Sequence, residues 1–436
     1  MKIGVVGAGI AGLTAAWRLQ QAGHDVEVFE ACGHAGGRMA STQVGGFVLD
    51  LGVHMLLEHY DRTRALIAEL GLAEQWFELH GGEGGVLRDH EVRHFSPHNA
   101  FDVLRFAGIH LRGRVRLFLE LARASRFRED LDFFDLSIGD DTFDQEDCES
   151  FARRRMGDEA TDYVVDSFIR TFHFHGARKM SVKYFEALAT LLLTRGEFRL
   201  FGLRDHMQVL PEALARRLTV HYSSPITRVA AVSGAAGVEL VGPLGSMTYD
   251  AVVLATTAEA ARRLLVTTSA AQRELLSHAT SSTTVVCSFT VPVQVAGDFE
   301  GIWVPFRESQ IICAVSNESC KGASDGERCV FSVFLHEEAS ALWRGHSDRE
   351  VTQAVAEELV RLFDRYAGAL EPLHVQRWPE ALPIYGVGQV ARVRAFWAQG
   401  QGDAGVWLCG DYLNHPWVEG SVRCGEKVAA RIQGLA

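Results

Sequence analysis

The 436-residue chain has little proline, 10 residues, and no low-complexity tract, which excludes a disordered or fibrous protein. It is short of positive charge: 43 Lys and Arg stand against 55 Asp and Glu, for a net charge of −12. Such a chain repels a polyanion, so nucleic acid is set aside as a partner. Its eight cysteines show neither the paired spacing of a zinc site nor the density of a secreted disulfide framework, so a reduced, cytoplasmic setting is expected. No apolar run approaches the roughly 18 residues needed to span a bilayer. Met1-Lys2 and the apolar stretch after them lack a cleavage region and read as a buried strand, with nothing removed. Internal repeats are absent. Glycine, in contrast, is abundant at 42 residues, often in clusters where the backbone turns sharply or touches something closely. The length, about three times that of a usual domain, calls for two or more cores.

Residues Lys2 to Val6 are apolar and largely β-branched, Gly7-Ala8-Gly9-Ile10-Ala11-Gly12 follows, and Leu13 to Gln21 carries apolar residues at helical spacing. Asp25 to Phe29 alternates as a second strand and ends in Glu30, 18 residues beyond Gly12. This is the order of a dinucleotide-binding βαβ unit: Gly7 permits the turn, Gly9 admits the pyrophosphate, and Gly12 lets helix and strand pack closely. The free N–H groups of the helix start, at Ile10 and Ala11, bind an anion without a basic side chain, and Glu30 suits the ribose hydroxyls. Gly400-Gln401-Gly402-Asp403-Ala404-Gly405 matches the same pattern, but no strand precedes it, and it reads as a hairpin or loop.

Gly33-His34-Ala35-Gly36-Gly37-Arg38-Met39 adds a second glycine turn and an arginine able to grip phosphate oxygens in a fork. Acid, glycine pair and arginine in this order resemble the start of the FAD-dependent amine oxidase, protoporphyrinogen oxidase and phytoene desaturase superfamily. Val406 to Asp411, a strand ending in Gly410-Asp411, and the helix opening at Trp417-Val418-Glu419-Gly420-Ser421 are similar to its closing motif. The resemblance implies that Asp411 contacts the pyrophosphate–ribityl region and that the helix start at Trp417 and Val418 points at the flavin N1–C2=O edge. It also implies that Ile226, after a helix over Leu203 to Leu218, meets the adenine through its backbone. The usual Gly-Gly before that helix is replaced by Phe201-Gly202-Leu203-Arg204-Asp205. The expected fold is α/β, a Rossmann-like FAD-binding domain (GR2-type flavoprotein) from residues 1–80, 200–268 and 395–436, with an α+β substrate domain from 81–199 and 269–394.

Two segments pull toward different branches. Asp50-Leu51-Gly52-Val53-His54 resembles the desaturase segment that runs beside the isoalloxazine, which implies flavin contact for Gly52, Val53 and His54 and dehydrogenation of a C–C or C–N bond. His54 either transfers protons, as a side-chain type whose unperturbed pKa is near neutrality can, or simply packs there. Arg377-Trp378-Pro379-Glu380-Ala381-Leu382-Pro383-Ile384-Tyr385 is similar to the protoporphyrinogen oxidase branch, and Trp378, Tyr385 and Trp417 either line an aromatic substrate pocket or belong to the core. No cysteine lies between Val330 and Leu408, so the resemblance implies non-covalent FAD, and Ser282 to Cys287 lacks the lysine that amine oxidases place near flavin N5.

The expected function is an FAD-dependent oxidase or desaturase taking a hydride from a largely apolar small-molecule substrate. The alternatives are a protoporphyrinogen-type or amine oxidase, a redox-neutral isomerase or mutase, and a non-catalytic protein like the GDP-dissociation inhibitors. His173 and His175 alternate as if on a strand, and no metal is expected there. Residues 105–128 hold seven arginines, one acid and many apolar side chains, as in a basic amphipathic helix pair suited to peripheral contact with an anionic membrane. The ten acids from Glu129 to Glu149 are the competing partners for those arginines.

Overall fold

The computed structural model describes residues 1–79, 84–95, 101–124, 126, 131–139, 141–194, 199–232, 237–266 and 268–434. Five parallel strands form one sheet in the order Thr219–His221, Asp25–Phe29, Lys2–Val6, Ala251–Leu254, Val406–Leu408. Their β-branched runs are buried on both faces, as in a sheet covered on each side; Ile3, Val5, Val28, Val252 and Val253 are all fully buried. The opening helix, Ile10–Gln21, packs against the closing helix, Val418–Ile432, so the two ends of the chain meet over this sheet.

Seven strands form a second sheet in the order Glu371–Trp378, Thr284–Pro292, Arg328–Leu335, Ile312–Asn317, Gly301–Trp303, Gly85–Arg88, Glu91–His94, antiparallel except between Gly301–Trp303 and Gly85–Arg88. Side chains alternate between its faces. Val285, Cys287, Phe331, Val333 and Leu335 share a core with the helix Asp348–Leu362. Their neighbours Thr284, Val286, Ala314 and Phe334 turn to the other face and line a cavity. Helices Leu111–Ala124, Cys148–Arg155, Asp166–His173 and Val182–Thr194 close the far side.

Three sequence expectations change. The helix expected over Leu203 to Leu218 is confined to Val209–Ala215, because Leu200–Leu203 instead pairs with Leu56–Leu57 and Trp76–Glu78. His173 ends a helix rather than lying on a strand, and Phe174 leaves it in the left-handed region at φ 71°. Of the acids of 129–149, Asp132 and Asp135 pair with Arg423 and Lys427 of the closing helix, and Glu146 and Glu149 with Arg154, Arg153 and Arg178, so these four pair elsewhere than on the arginine-rich helix, while 129, 130 and 140 lie outside the described residues. Among the described residues no helix is long and apolar enough to cross a membrane.

Candidate functional site

A cavity of roughly 1040 Å³ runs between the two sheets, from the opening loop to the aromatic walls of the helical side. The backbone at its first end follows from sterics. Gly7 has φ +105°, and a Cβ there would lie 2.6 Å from the Ala255 carbonyl oxygen. A Cβ on Gly12 would come within 2.3 Å of the Gly7 oxygen, so Gly12 serves helix–strand packing and does not itself line the cavity. Gly9, in contrast, meets open space, and it begins the opening helix with no side-chain cap and no acid in the first turn. The N–H groups behind it at Ile10 and Ala11 keep their capacity for an anion.

Glu30 lines the cavity, one carboxylate oxygen accepting from Ala8 N at 2.7 Å and the other from Cys32 N at 2.8 Å. Each oxygen keeps a lone pair for a diol. The second glycine turn is held by Gln208, which donates to Ala35 O and accepts from Ser41 N, both at 2.8 Å. The Arg38 fork grips Asp411 in two bonds of 2.6 and 3.1 Å and also donates to Ala381 O, and Arg38 lines the cavity as well. Burial works against the Arg38 cation, but Asp411 and Glu380 raise its pKa. The arginine thus positions Asp411, which lines the cavity with Gly410 and Gly37.

The closing helix also starts at the cavity without a side-chain cap, at Trp417 and Val418. Its first-turn acid does not cancel that end of the dipole at the cavity, because Glu419 is fully buried and accepts from Arg62 N, Thr63 N, Thr63 Oγ1 and Arg423 Nε. Ile226, Gly52, Val53 and His54 line the wall as well. Gly52 lies so close to the Arg38 segment that a Cβ would sit 2.5 Å from Arg38 O, and Trp378 Nε1 clamps the segment by donating to Leu51 O at 2.7 Å. Trp378 and Trp417 face the cavity, but Tyr385 does not; it is buried behind, its hydroxyl donating to the Asp411 carbonyl at 2.6 Å, because that carbonyl needs a partner in the apolar interior.

Two uncapped helix starts, a ribose-type acid and a backbone cradle opening on one cavity fit a dinucleotide flavin, whose adenine and isoalloxazine ends need separate anchors. The aromatic lining is Phe95, Phe106, Phe172, Phe174, Trp303 and Phe334, and Asp102, Arg105, Glu78 and Arg199 line the cavity too. His54 Nδ1 is 2.9 Å from Glu318, which pairs with Lys321, which pairs with Asp50. Of these, only Asp50 and His54 stood in a recognisable motif; an acid and a lysine three apart, such as Glu318 and Lys321, are too common to signal a site. His173 is buried, with Nε2 2.6 Å from Tyr184 Oη and its ring stacked on Trp417 at 5.6 Å.

The family model for flavin containing amine oxidoreductases matches residues 10–433. A coproporphyrinogen III oxidase from Mycobacterium bovis is 28% identical over 428 residues, covering 90% of this chain and 89% of that protein. A mitochondrial protoporphyrinogen oxidase from Nicotiana tabacum is 30% identical over 169 residues, 38% of this chain and 32% of its own. The structure of a cyclohexylamine oxidase from Brevibacterium oxydans superposes with a TM-score of 0.78 at 17% identity, covering 99% of this chain and 98% of that one. The chain belongs to the flavin-containing amine oxidoreductases and is an FAD-dependent oxidoreductase.

Proposed function

We propose that this protein dehydrogenates a largely apolar, ring-bearing substrate, and that it stands nearer the porphyrinogen oxidases than the amine oxidases. The observation that carries this reading is the aromatic wall of the cavity beyond the nucleotide cradle, Phe95, Phe106, Phe172, Phe174, Trp303 and Phe334, which suits an apolar ring. Similarity to a coproporphyrinogen III oxidase over 90% of the chain supports it, as does the absence of lysine from Ser282 to Cys287. Bound FAD supplies the hydride acceptor. Glu30 holds the ribose, the helix start at Ile10 and Ala11 holds the pyrophosphate, Ile226 meets the adenine, and the helix start at Trp417 and Val418 favours negative charge at its end of the cavity. The FAD is held non-covalently. The aromatic walls align the substrate and exclude water, and His54 handles the proton.

The test is anaerobic mixing of the purified yellow protein with a porphyrinogen, a polyene and an aliphatic amine, following flavin absorbance. Bleaching by the porphyrinogen or polyene supports the reading. Bleaching by the amine alone overturns the substrate class, and turnover without a net electron acceptor overturns the reaction type.

We also propose peripheral contact with an anionic membrane through residues 105–128, of which 125, 127 and 128 lie outside the described residues. Leu111, Val115 and Leu119 form a stripe on one helix face, 66%, 40% and 57% exposed, with Arg105 and Arg112 exposed beside it. Arg105 and Phe106 also line the cavity, so the segment just before the stripe reaches the site.

A further inference from the structure

The wall beside the flavin cradle holds a buried chain of charges that cofactor binding does not require. His54, 6% exposed, stands edge-on to Phe334 with ring centroids 4.8 Å apart. Its Nδ1 lies 2.9 Å from Glu318 Oε1. The other Glu318 oxygen is 2.5 Å from Lys321 Nζ, which is 2.9 Å from Asp50 Oδ2. Asp50 Oδ1 accepts from Ser41 Oγ at 2.8 Å and Met207 N at 2.9 Å. Of the buried side-chain polar atoms of His54, Glu318, Lys321 and Asp50, one has no hydrogen-bond partner. His54 lines the cavity, and its Nε2 has no partner in the protein.

Electrostatics assigns the protons. Burial pushes the Glu318 carboxyl up, but Lys321 and His54 together hold it well below its usual 4.5. Burial lowers Lys321, and Asp50 and Glu318 more than reverse this. A carboxylate can only accept, so His54 Nδ1 carries a hydrogen and donates it to Glu318. Two buried carboxylates against one ammonium leave one negative charge, and a proton arriving on Nε2 neutralises it. The other ionisable groups nearby are Glu300, a further acid on the cavity wall, and the Cys320 thiol, which burial and Glu318 push up to about 12 and which stays neutral. The remaining neighbours, Val286, Cys313, Ala314 and Phe334, form an apolar cluster.

We infer that Glu318, backed by Lys321 and Asp50, is a positioning residue that fixes His54 with hydrogen on Nδ1 and makes Nε2 the acceptor of the substrate's proton. The inference deepens the dehydrogenation proposed above and rests on it. When the substrate's X–H bond breaks, the proton goes to Nε2 and the electron pair stays to form the new C=X bond. Bound FAD would supply the two-electron acceptor for the hydride lost from the adjacent carbon, so the substrate would lose two electrons and two hydrogens in all.

The test is a pH titration of the holoprotein labelled with ¹⁵N-histidine, with His54→Gln to assign the His54 signals. The expected wild-type result is Nδ1 protonated throughout and Nε2 titrating. Glu318→Gln keeps an acceptor for Nδ1 but removes the charge, and should lower the His54 midpoint by one pH unit or more. Asp50→Asn should lower it by less, and it decides the matter if Glu318→Gln does not fold. The acid limb of kcat/KM should move by the same amount with KM little changed. A His54 midpoint indifferent to both substitutions, or an unprotonated Nδ1, overturns the role of Glu318. Bleaching of His54→Gln by substrate at the wild-type rate overturns the proton role of His54 while leaving dehydrogenation standing. Failure of every substrate to bleach the wild type overturns dehydrogenation and that proton role together, and the titration then reads the hold of Glu318 on His54 alone.

Discussion

Glu30 donates nothing and accepts from two backbone N–H groups, so its geometry is set before any ligand arrives. Glu30→Gln keeps the size, but it removes the charge and puts a donor NH2 in place of one of the two accepting oxygens, facing a backbone N–H. The loss of charged hydrogen bonds is worth about 1.5–3 kcal/mol, which should weaken FAD retention about 10- to 100-fold, measured by flavin release on dilution. Gly7→Ala should act on folding itself: φ is +105° and the new methyl would meet the Ala255 carbonyl at 2.6 Å, so a loss of about 2 kcal/mol or more is expected in thermal melts of the flavin-free protein. At this scale the sequence was most legible where chemistry sits close together in the chain. Gly7, Gly9, Glu30 and His54 could be read because each stands at a fixed offset in a local motif. Glu318 could not, since it meets His54 across 264 residues and only folding supplies that adjacency. The Arg38–Asp411 pair could not be read for the same reason: a fork-shaped donor suits phosphate and carboxylate alike, and Asp411 lies 373 residues away.

Among the elements, the opening and closing helices act as a pair, both starting uncapped at the cavity and packed along each other. Their hydrophobic spacing and their preceding strands were enough to recognise them. The helix expected from Leu203 was not, because Leu200–Leu203 is an apolar tetrad whose state is decided by the strands beside it. The arginine-rich helix Leu111–Ala124 shows its buried face through Leu117, Leu121 and Ala124 and leaves Leu111, Val115 and Leu119 outside. If that stripe docks on membranes, Leu111→Ser combined with Leu119→Ser should abolish pelleting with anionic liposomes at low salt without lowering flavin content. Equal pelleting of variant and wild type would end the membrane proposal.

For the whole molecule, acid stability is governed by histidines that folding buries in the neutral form. Burial lowers His175 from its usual 6.5 to about 4, and burial with Arg170 lowers His336 to about 3. Between the usual and the lowered values the unfolded chain binds the proton first, so stability is unaffected above about pH 6.5 and falls below it. The loss is about 1.4 kcal/mol per pH unit for each group, ending near 4 for His175 and near 3 for His336. Denaturant midpoints at pH 7, 6 and 5 should fall progressively, and His336→Gln should flatten the decline. The buried Glu318 and Asp50 carboxylates, both lowered, lose their contribution only at more acid pH, in the same direction. The sequence alone determined the parallel nucleotide-binding unit, its acid and the two helix starts, because those features rest on local sterics and hydrophobic period. Only the tertiary structure decided that Arg38 holds Asp411, that Tyr385 lies behind the site, and that Glu318, Lys321 and Asp50 converge on His54, because the pairing of buried charges depends on distances in space that no spacing along the chain encodes.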